Sequence, residues 1–326
     1  MYSSNELKEL VERSLKGILH PEGPSELYAP VSYSLSVGGK RIRPVLALLA
    51  CNMFTDHITD KCVLPAIGLE MFHTFTLVHD DIMDKADMRR NQASVHKKWN
   101  SNIAILSGDA MCIDAYRLMC QAEISKLPEI LACFNKAALN VCEGQQYDMN
   151  YEAKSSITEN DYLKMIELKT GKLIAVAAQI GAILGGASTP DVDKLYKVGL
   201  NLGMAFQIQD DVLDTYSDSK KLGKDAGLDI AHNKKTYLLI SAIRLAAGEQ
   251  KKQLNILLKP NTEIDPKEKY LAVKSIYDEL KVRDLAEAKI KEYFSKAASE
   301  LNGVGAKPER KQAMEEFVNQ LITRQS

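Results

Sequence analysis

The sequence predicts an all-α fold, and three observations carry that expectation. Apolar residues recur at the i, i+3, i+4 spacing of helices along nearly the whole chain, and no alternating run of useful strand length interrupts them. Pro (10) and Gly (18) are few for 326 residues, aromatic residues are 6%, and Ala, Leu, Ile, Lys and Glu recur throughout. The connectors are short and none is of low complexity, so one domain spanning 1–326 with roughly ten or more helices is expected.

The elements follow in order. MYSSNELKELVERSLKGILH reads as an amphipathic helix with Leu7, Leu10, Val11, Leu15, Ile18 and Leu19 on one side. Its acidic residues fall where a secretory signal would need an apolar run. Pro21, Pro24 and Pro30 break the chain after it, Pro44 starts another helix, Pro128 and Pro190 separate others, and Pro260 with Pro266 brackets a loop. Leu173 to Pro190 carries no charge and nears the length of a membrane span. It contains Gln179, ends in Gly-Gly-Ala-Ser-Thr-Pro and lacks flanking aromatics, so a buried central helix is expected and no membrane span. Ala286, Ile290, Tyr293, Phe294, Ala297 and Leu301 mark a late helix, and Met314, Phe317, Val318, Leu321 and Ile322 mark a last one after Pro308.

Composition narrows the function. Apolar residues make up 45% and charged residues 26%, with 42 Lys plus Arg against 43 Asp plus Glu. The near-zero net charge excludes a disordered chain and a surface built to hold nucleic acid, so any charge that binds phosphate is local. The six cysteines (51, 62, 112, 120, 133, 142) form no CxxC pair, which points to a reduced cytoplasmic protein with buried thiols rather than to a disulfide framework or a zinc site.

One pattern repeats. Thr74-Phe-Thr-Leu-Val-His-Asp-Asp-Ile-Met-Asp84 and Met204-Ala-Phe-Gln-Ile-Gln-Asp-Asp-Val-Leu-Asp214 are both apolar runs ending in Asp-Asp-x-x-Asp. On a helix, Asp80 and Asp84 are i and i+4, about 6 Å apart on one face, with Asp81 beside them; Asp210, Asp211 and Asp214 repeat the arrangement. Oxygen-only ligands supplied from one side suit Mg²⁺ that keeps waters and takes phosphate oxygens, so a polyphosphate is the expected third party. The basic residues agree. Gly38-Gly-Lys-Arg-Ile-Arg-Pro44 places Lys40, Arg41 and Arg43 before a helix N-terminus, Arg89 and Arg90 follow the first acidic motif, and Lys169-Thr170, Lys224, Lys234 and Lys235 add charge later.

These residues resemble the trans-isoprenyl diphosphate synthases, or polyprenyl synthetases. The matching segments are GGKRIRP (38–44), Glu70 to Asp84, RRN (89–91), GD (108–109), GQxxD (144–148), KTGKL (169–173), FQIQDDVLD (206–214) and GKDAGLDIAHNKKT (223–236), in order over nearly the whole chain. The arginine pair usually continues with Gly in this family; Asn91-Gln-Ala-Ser-Val-His96 stands here and leaves the shape of that loop open.

The resemblance implies an all-α single-domain bundle around a deep central cavity, of the isoprenoid synthase type, normally a homodimer, with three Mg²⁺ ions. It implies Asp80, Asp84 and Asp210 as metal ligands, supported by Asp81, Asp211, Asp214 and Asp229. Arg89, Lys169, Thr170, Gln207, Lys224 and Lys234 resemble the allylic diphosphate site, with Arg89, Lys169, Lys224 and Lys234 carrying the catalytic charge. Lys40, Arg43, His73 and Arg90 resemble the isopentenyl diphosphate site, and Gln145 and Asp148 line the cavity. Phe72, Phe75 and Thr76 hold the positions that set chain length, and the single aromatic at Phe75 resembles a twenty-carbon pattern. The expected activity is head-to-tail condensation to geranylgeranyl diphosphate, with farnesyl diphosphate as the alternative. A long-chain synthase, a non-catalytic partner subunit and a class I terpene cyclase are more remote.

Overall fold

The computed structural model describes residues 1–18, 20–21, 23–217, 227–259 and 264–323. It is almost wholly helical, as the periodicity predicts, and its backbone contacts gather into two compact units. The first comprises Met1–Lys136, Leu173–Gly199 and Glu300–Phe317; the second comprises Ala137–Lys172, Leu200–Ser299 and Val318–Ser326.

In the first unit the helix Ser4–Lys16 starts on a capping box between Ser3 and Glu6, which satisfies two orphan donors at once. It buries Leu7, Val11 and Leu15 and ends at Gly17, earlier than the pattern suggests: Ile18 lies beyond it, and Leu19 is outside the described residues. Pro30 does not break the chain but sits inside the helix Ser25–Ser36. The helix Ile42–Asn52 starts two residues before Pro44 and is buried all round, the mark of a core helix. The helix Lys172–Gly185 comes so close to it that a Cβ on Gly181 would lie 1.9 Å from the Ala47 carbonyl oxygen. Only glycine permits that backbone approach. This explains the uncharged stretch: its apolar side chains are buried in the core, each fully buried Leu or Ile contributing about 1.5–3 kcal/mol. The long helix Asp60–Met83 lies along Ser101–Met119.

In the second unit Tyr162, Ile166, Met204, Ile208, Leu238 and Tyr277 belong to one buried cluster. The helix Glu159–Ile166 begins on a second capping box, Thr158 with Asp161. Pro266 opens the helix Pro266–Glu279 behind an Asp265 cap, while Pro260 is outside the described residues. Ala286, Phe294 and Ala297 of Val282–Asn302 are buried as the pattern requires.

One feature lies below what a sequence pattern can show, and two expectations need correction. A two-residue antiparallel pairing, Met88–Arg89 with Gln92–Ala93, is too short for any alternation to announce it. Ile322 is exposed at the end of its helix. Cys120 and Cys142 are exposed and only Cys51 and Cys62 fully buried, because helix position rather than residue type decides which thiols reach the core; all six are unbridged. The helical stretches Asp60–Met83 and Glu159–Gly185 are long and apolar enough to cross a membrane by composition, and most of each is buried in the fold.

Candidate active site

The first aspartate motif ends the helix Asp60–Met83. Asp84 caps it, donating its N–H to the Asp80 carbonyl at 2.8 Å, so Asp80 and Asp84 are one turn apart on one face. Asp80 is half-buried and Asp84 exposed. The negative end of the helix dipole adds to their repulsion, so the pair favours a cation. Asp81 has a different part. It is buried, accepts from Arg89 Nε at 2.8 Å and meets Arg89 Nη2 at 2.6 Å. Burial raises its pKa, and the guanidinium offsets only part of that rise.

Arg89 and Arg90 stand on the short hairpin. Met88 pairs with Ala93 and Arg89 with Gln92, leaving Arg90 and Asn91 as a two-residue turn at φ 49° and 62°. Two successive positive φ values define a type I′ turn, which matches the twist of the strands. Asn tolerates this region better than bulkier residues, so Asn91 closes the loop where the resemblance leads one to expect Gly. Tyr33 donates its hydroxyl to the Ala93 carbonyl at 2.8 Å and holds the second strand. The Arg90 guanidinium donates to the Gly38 carbonyl.

The basic residues of GGKRIRP divide three ways. Lys40 is exposed, and Arg43 is buried in the first turn of its helix. Arg41, although part of the same basic run, is not open to an anion: it is buried, with Nε 2.9 Å from Glu12 Oε1, Nη1 2.9 Å from Glu70 Oε1 and Nη2 donating to the Leu35 carbonyl at 2.7 Å. It fixes the loop. His73 lies among these cations. Burial first, then Arg43, Arg90, Arg89 and Arg41, push its pKa well below the usual imidazole range and keep the ring neutral.

The chain-length candidates sit one to two turns before Asp80. Phe72 is buried and stacks edge-on with Phe75 at 5.3 Å and with Phe134 at 5.2 Å; Phe134 in turn meets Tyr116 at 5.0 Å. Phe75 is half-buried, and Thr76 donates its hydroxyl to the His73 carbonyl at 2.8 Å. Phe134 and Tyr116 come from other helices and carry no motif by which a sequence reading could find them.

In the second unit Asp210 and Asp214 lie one turn apart near the end of Thr189–Tyr216. Asp214 anchors the following segment: its Oδ2 accepts the Asp229 N–H at 3.0 Å and its carbonyl accepts the Gly227 N–H at 2.9 Å. Asp211 is buried and accepts from the Tyr162 hydroxyl at 2.6 Å, the Tyr237 N–H at 3.1 Å and Gln207 Nε2 at 3.2 Å. Burial and then nearby Asp229 push its carboxyl up to about 7. Gln207 continues the chain, accepting from the Thr170 hydroxyl at 2.9 Å.

Thr170 and Lys169 lie in a π-helical turn, Glu167–Gly171, a distortion often found at functional sites. Lys169 Nζ donates to Asp148 Oδ2 at 2.7 Å. Gly144 makes room for this turn, since a Cβ there would stand 2.3 Å from the Lys169 nitrogen. Asp148 and Gln145 are buried on the same helix. Lys234 is exposed, its Nζ 3.7 Å from Asp229 Oδ1, and Lys224 lies outside the described residues.

The donor set suits a hard cation. Each motif offers carboxylate oxygens from one helix face, with no thiol or imidazole among them. Among the described residues no three His, Cys, Asp or Glu side chains close around a point.

Comparison with known proteins gives the family. The profile described as polyprenyl synthetase matches residues 24–277. A geranylgeranyl diphosphate synthase of Methanosarcina mazei is 39% identical over 236 residues, 71% of this chain and 72% of its own length. A geranylfarnesyl diphosphate synthase of Natronomonas pharaonis is 37% identical over 254 residues, 73% of this chain and 74% of its own. A crystal structure described as geranylgeranyl pyrophosphate synthase superimposes with a TM-score of 0.93 at 39% identity, covering 100% of both chains. With its helical fold and both aspartate motifs in place, this chain belongs to the polyprenyl synthetase family.

Proposed function

We propose that this protein is a Mg²⁺-dependent prenyltransferase that condenses isopentenyl diphosphate with an allylic diphosphate, head to tail, to all-trans geranylgeranyl diphosphate. The observation that carries this reading is the pairing, within one unit, of the oxygen-only set Asp80 and Asp84 with the cationic group Arg43, Arg89 and Arg90 around a neutral His73. That combination suits polyphosphates, one of them held through a hard cation.

Asp80, Asp84 and Asp210 would hold three Mg²⁺ ions, with Asp81, Asp211, Asp214 and Asp229 orienting the sites. When bound, the ions supply Lewis-acid neutralisation of the allylic diphosphate. Arg89, held by Asp81, and Lys169, Thr170, Gln207, Lys224 and Lys234 bind that diphosphate and stabilise the charge it gains as its C–O bond breaks. Lys40, Arg43, Arg90 and the neutral imidazole of His73 hold isopentenyl diphosphate so that its alkene attacks the allylic cation carbon. A new C–C bond forms, and the proton lost from the adduct passes to the released diphosphate, so no protein carboxylate need act as base. Apolar walls keep water from the cation.

Phe75 closes the space for the growing tail, backed by Phe72. A homodimer is part of the reading: Ile105, Leu106 and Ile113 of Ser101–Met119 leave large apolar side chains exposed, a face that a second copy would cover. The unbridged cysteines support a cytoplasmic setting.

Product analysis by mass spectrometry tests the reading, with purified protein, Mg²⁺, isopentenyl diphosphate and each allylic primer in turn. A twenty-carbon diphosphate is expected, and Phe75→Ala should shift the distribution to longer chains. A fifteen-carbon or twenty-five-carbon end point in the wild type would move the floor away from Phe75, and no product with any primer would overturn the assignment.

A further inference from the structure

The Arg90 guanidinium is held at both ends of its side chain. At the backbone end, the type I′ turn fixes the direction in which the side chain leaves, because Arg90 and Asn91 occupy left-handed φ of 49° and 62°. At the far end, the guanidinium donates to the Gly38 carbonyl and lies against Gly39. A Cβ built on Gly39 would stand 2.6 Å from Nη1, 3.1 Å from Cζ and 3.2 Å from Nη2. Three atoms of the guanidinium thus occupy the space that a side chain on residue 39 would enter.

The two glycines are therefore glycines for different reasons. Gly38 has φ 81°, which its backbone requires to be glycine. Gly39 has no positive φ, so its backbone accepts an L side chain and only the guanidinium excludes one. We propose that Gly39 is a positioning residue, the seat that aims Arg90 at isopentenyl diphosphate. This rests on the assignment of Arg90 under Proposed function. One donor goes to Gly38, and the remaining N–H groups of the fork stay available for diphosphate oxygens. Arg89 is held separately by Asp81, so the seat acts on one substrate and not on the other.

The test is Gly39→Ala. The three atoms nearest the added methyl all belong to the flexible end of the Arg90 side chain, so the fold is expected to stand and the thermal midpoint to stay put. KM for isopentenyl diphosphate should rise about tenfold, the loss of roughly one well-aligned charged hydrogen bond, with KM for the allylic primer unchanged. The same substitution in an Arg90→Ala background should have no further effect, since the seat would then hold nothing. An unchanged KM in Gly39→Ala, an equal rise for both substrates with a lowered midpoint, or an effect of the same size in the Arg90→Ala background would each overturn the proposal. If the wild type makes no product, the function assignment fails by itself. Calorimetric titration with inorganic diphosphate then decides the seat: weaker binding in Gly39→Ala than in wild type, absent in the Arg90→Ala background, supports it, and equal binding overturns it.

Discussion

The two aspartate motifs are spelled alike, yet their middle carboxylates are held by opposite chemistry. Asp81 is buried against a guanidinium, and Asp211 is buried against a phenol, a backbone N–H and an amide. The first is a charged pair whose charge is needed to keep Arg89 in place. The second is a carboxylate whose hydrogen-bond partners are all neutral, pushed up to about 7 by burial and by nearby Asp229, and its part is to tie Tyr162, Gln207 and the start of the helix Tyr237–Leu245 together. The outer aspartates repeat and the middle one does not, so a motif specifies which carboxylates share a helix face while the packing behind it decides what holds the one between them.

The largest effect should come from the feature the motifs share. Asp80→Ala and Asp210→Ala should each lower turnover by about a thousandfold or more, since on the proposed reading each would remove a ligand of the cations that neutralise the leaving diphosphate. Thermal midpoints without Mg²⁺ should stay level or rise, because like charges are relieved. Full activity in either variant would remove the metal assignment.

Replacing the middle residues should separate the two sites. Asp81→Asn should lower stability by about 2 kcal/mol, measured by denaturant unfolding, because Arg89 keeps its charge and loses its counter-ion; the partial exposure of Arg89 limits the cost. Asp211→Asn should be neutral or stabilising at pH 8. Its carbonyl accepts from Tyr162, the Gln207 amide turns over, and the Thr170 hydroxyl changes from donor to acceptor. A fall of equal size in both variants would show the two sites to be equivalent.

The smallest effect is a slope. In metal-free protein the folded Asp211 keeps its proton up to about pH 7, while the unfolded carboxyl loses it near pH 4. The folded state binds more protons in that window, so this group lowers stability progressively between about pH 4 and 7, and the full penalty persists above. His73 acts the other way: the unfolded imidazole gains a proton below about pH 6.5 and the folded one does not, so stability falls as pH falls through that value. Subtracting the Asp211→Asn profile of stability against pH from that of the wild type isolates the first slope. Parallel profiles would show that Asp211 is ionised throughout.

Much of the fold was legible because helices announce themselves by periodicity: Leu7, Val11 and Leu15, or Ala286, Phe294 and Ala297, are buried where the spacing puts them. Boundaries were less so. Pro30 proved internal to a helix, and the first helix stopped at Lys16, because capping and local packing decide where a helix ends. Among the basic residues, charge alone did not separate Arg41, locked between Glu12 and Glu70, from Lys40 and Arg43 beside it.

The helical class, the pairs Asp80 with Asp84 and Asp210 with Asp214, and the family were all readable before any fold was known, because each depends on residue types at short spacing along chain segments. The tertiary structure alone decided that Tyr162 holds Asp211, that Phe134 backs Phe72, that a π-helical turn carries Lys169 to Asp148, and that Arg90 rests on Gly39. These contacts join residues far apart in sequence, and burial, which sets both their strength and the charge state of the groups involved, is a property of the folded chain and not of any segment of it.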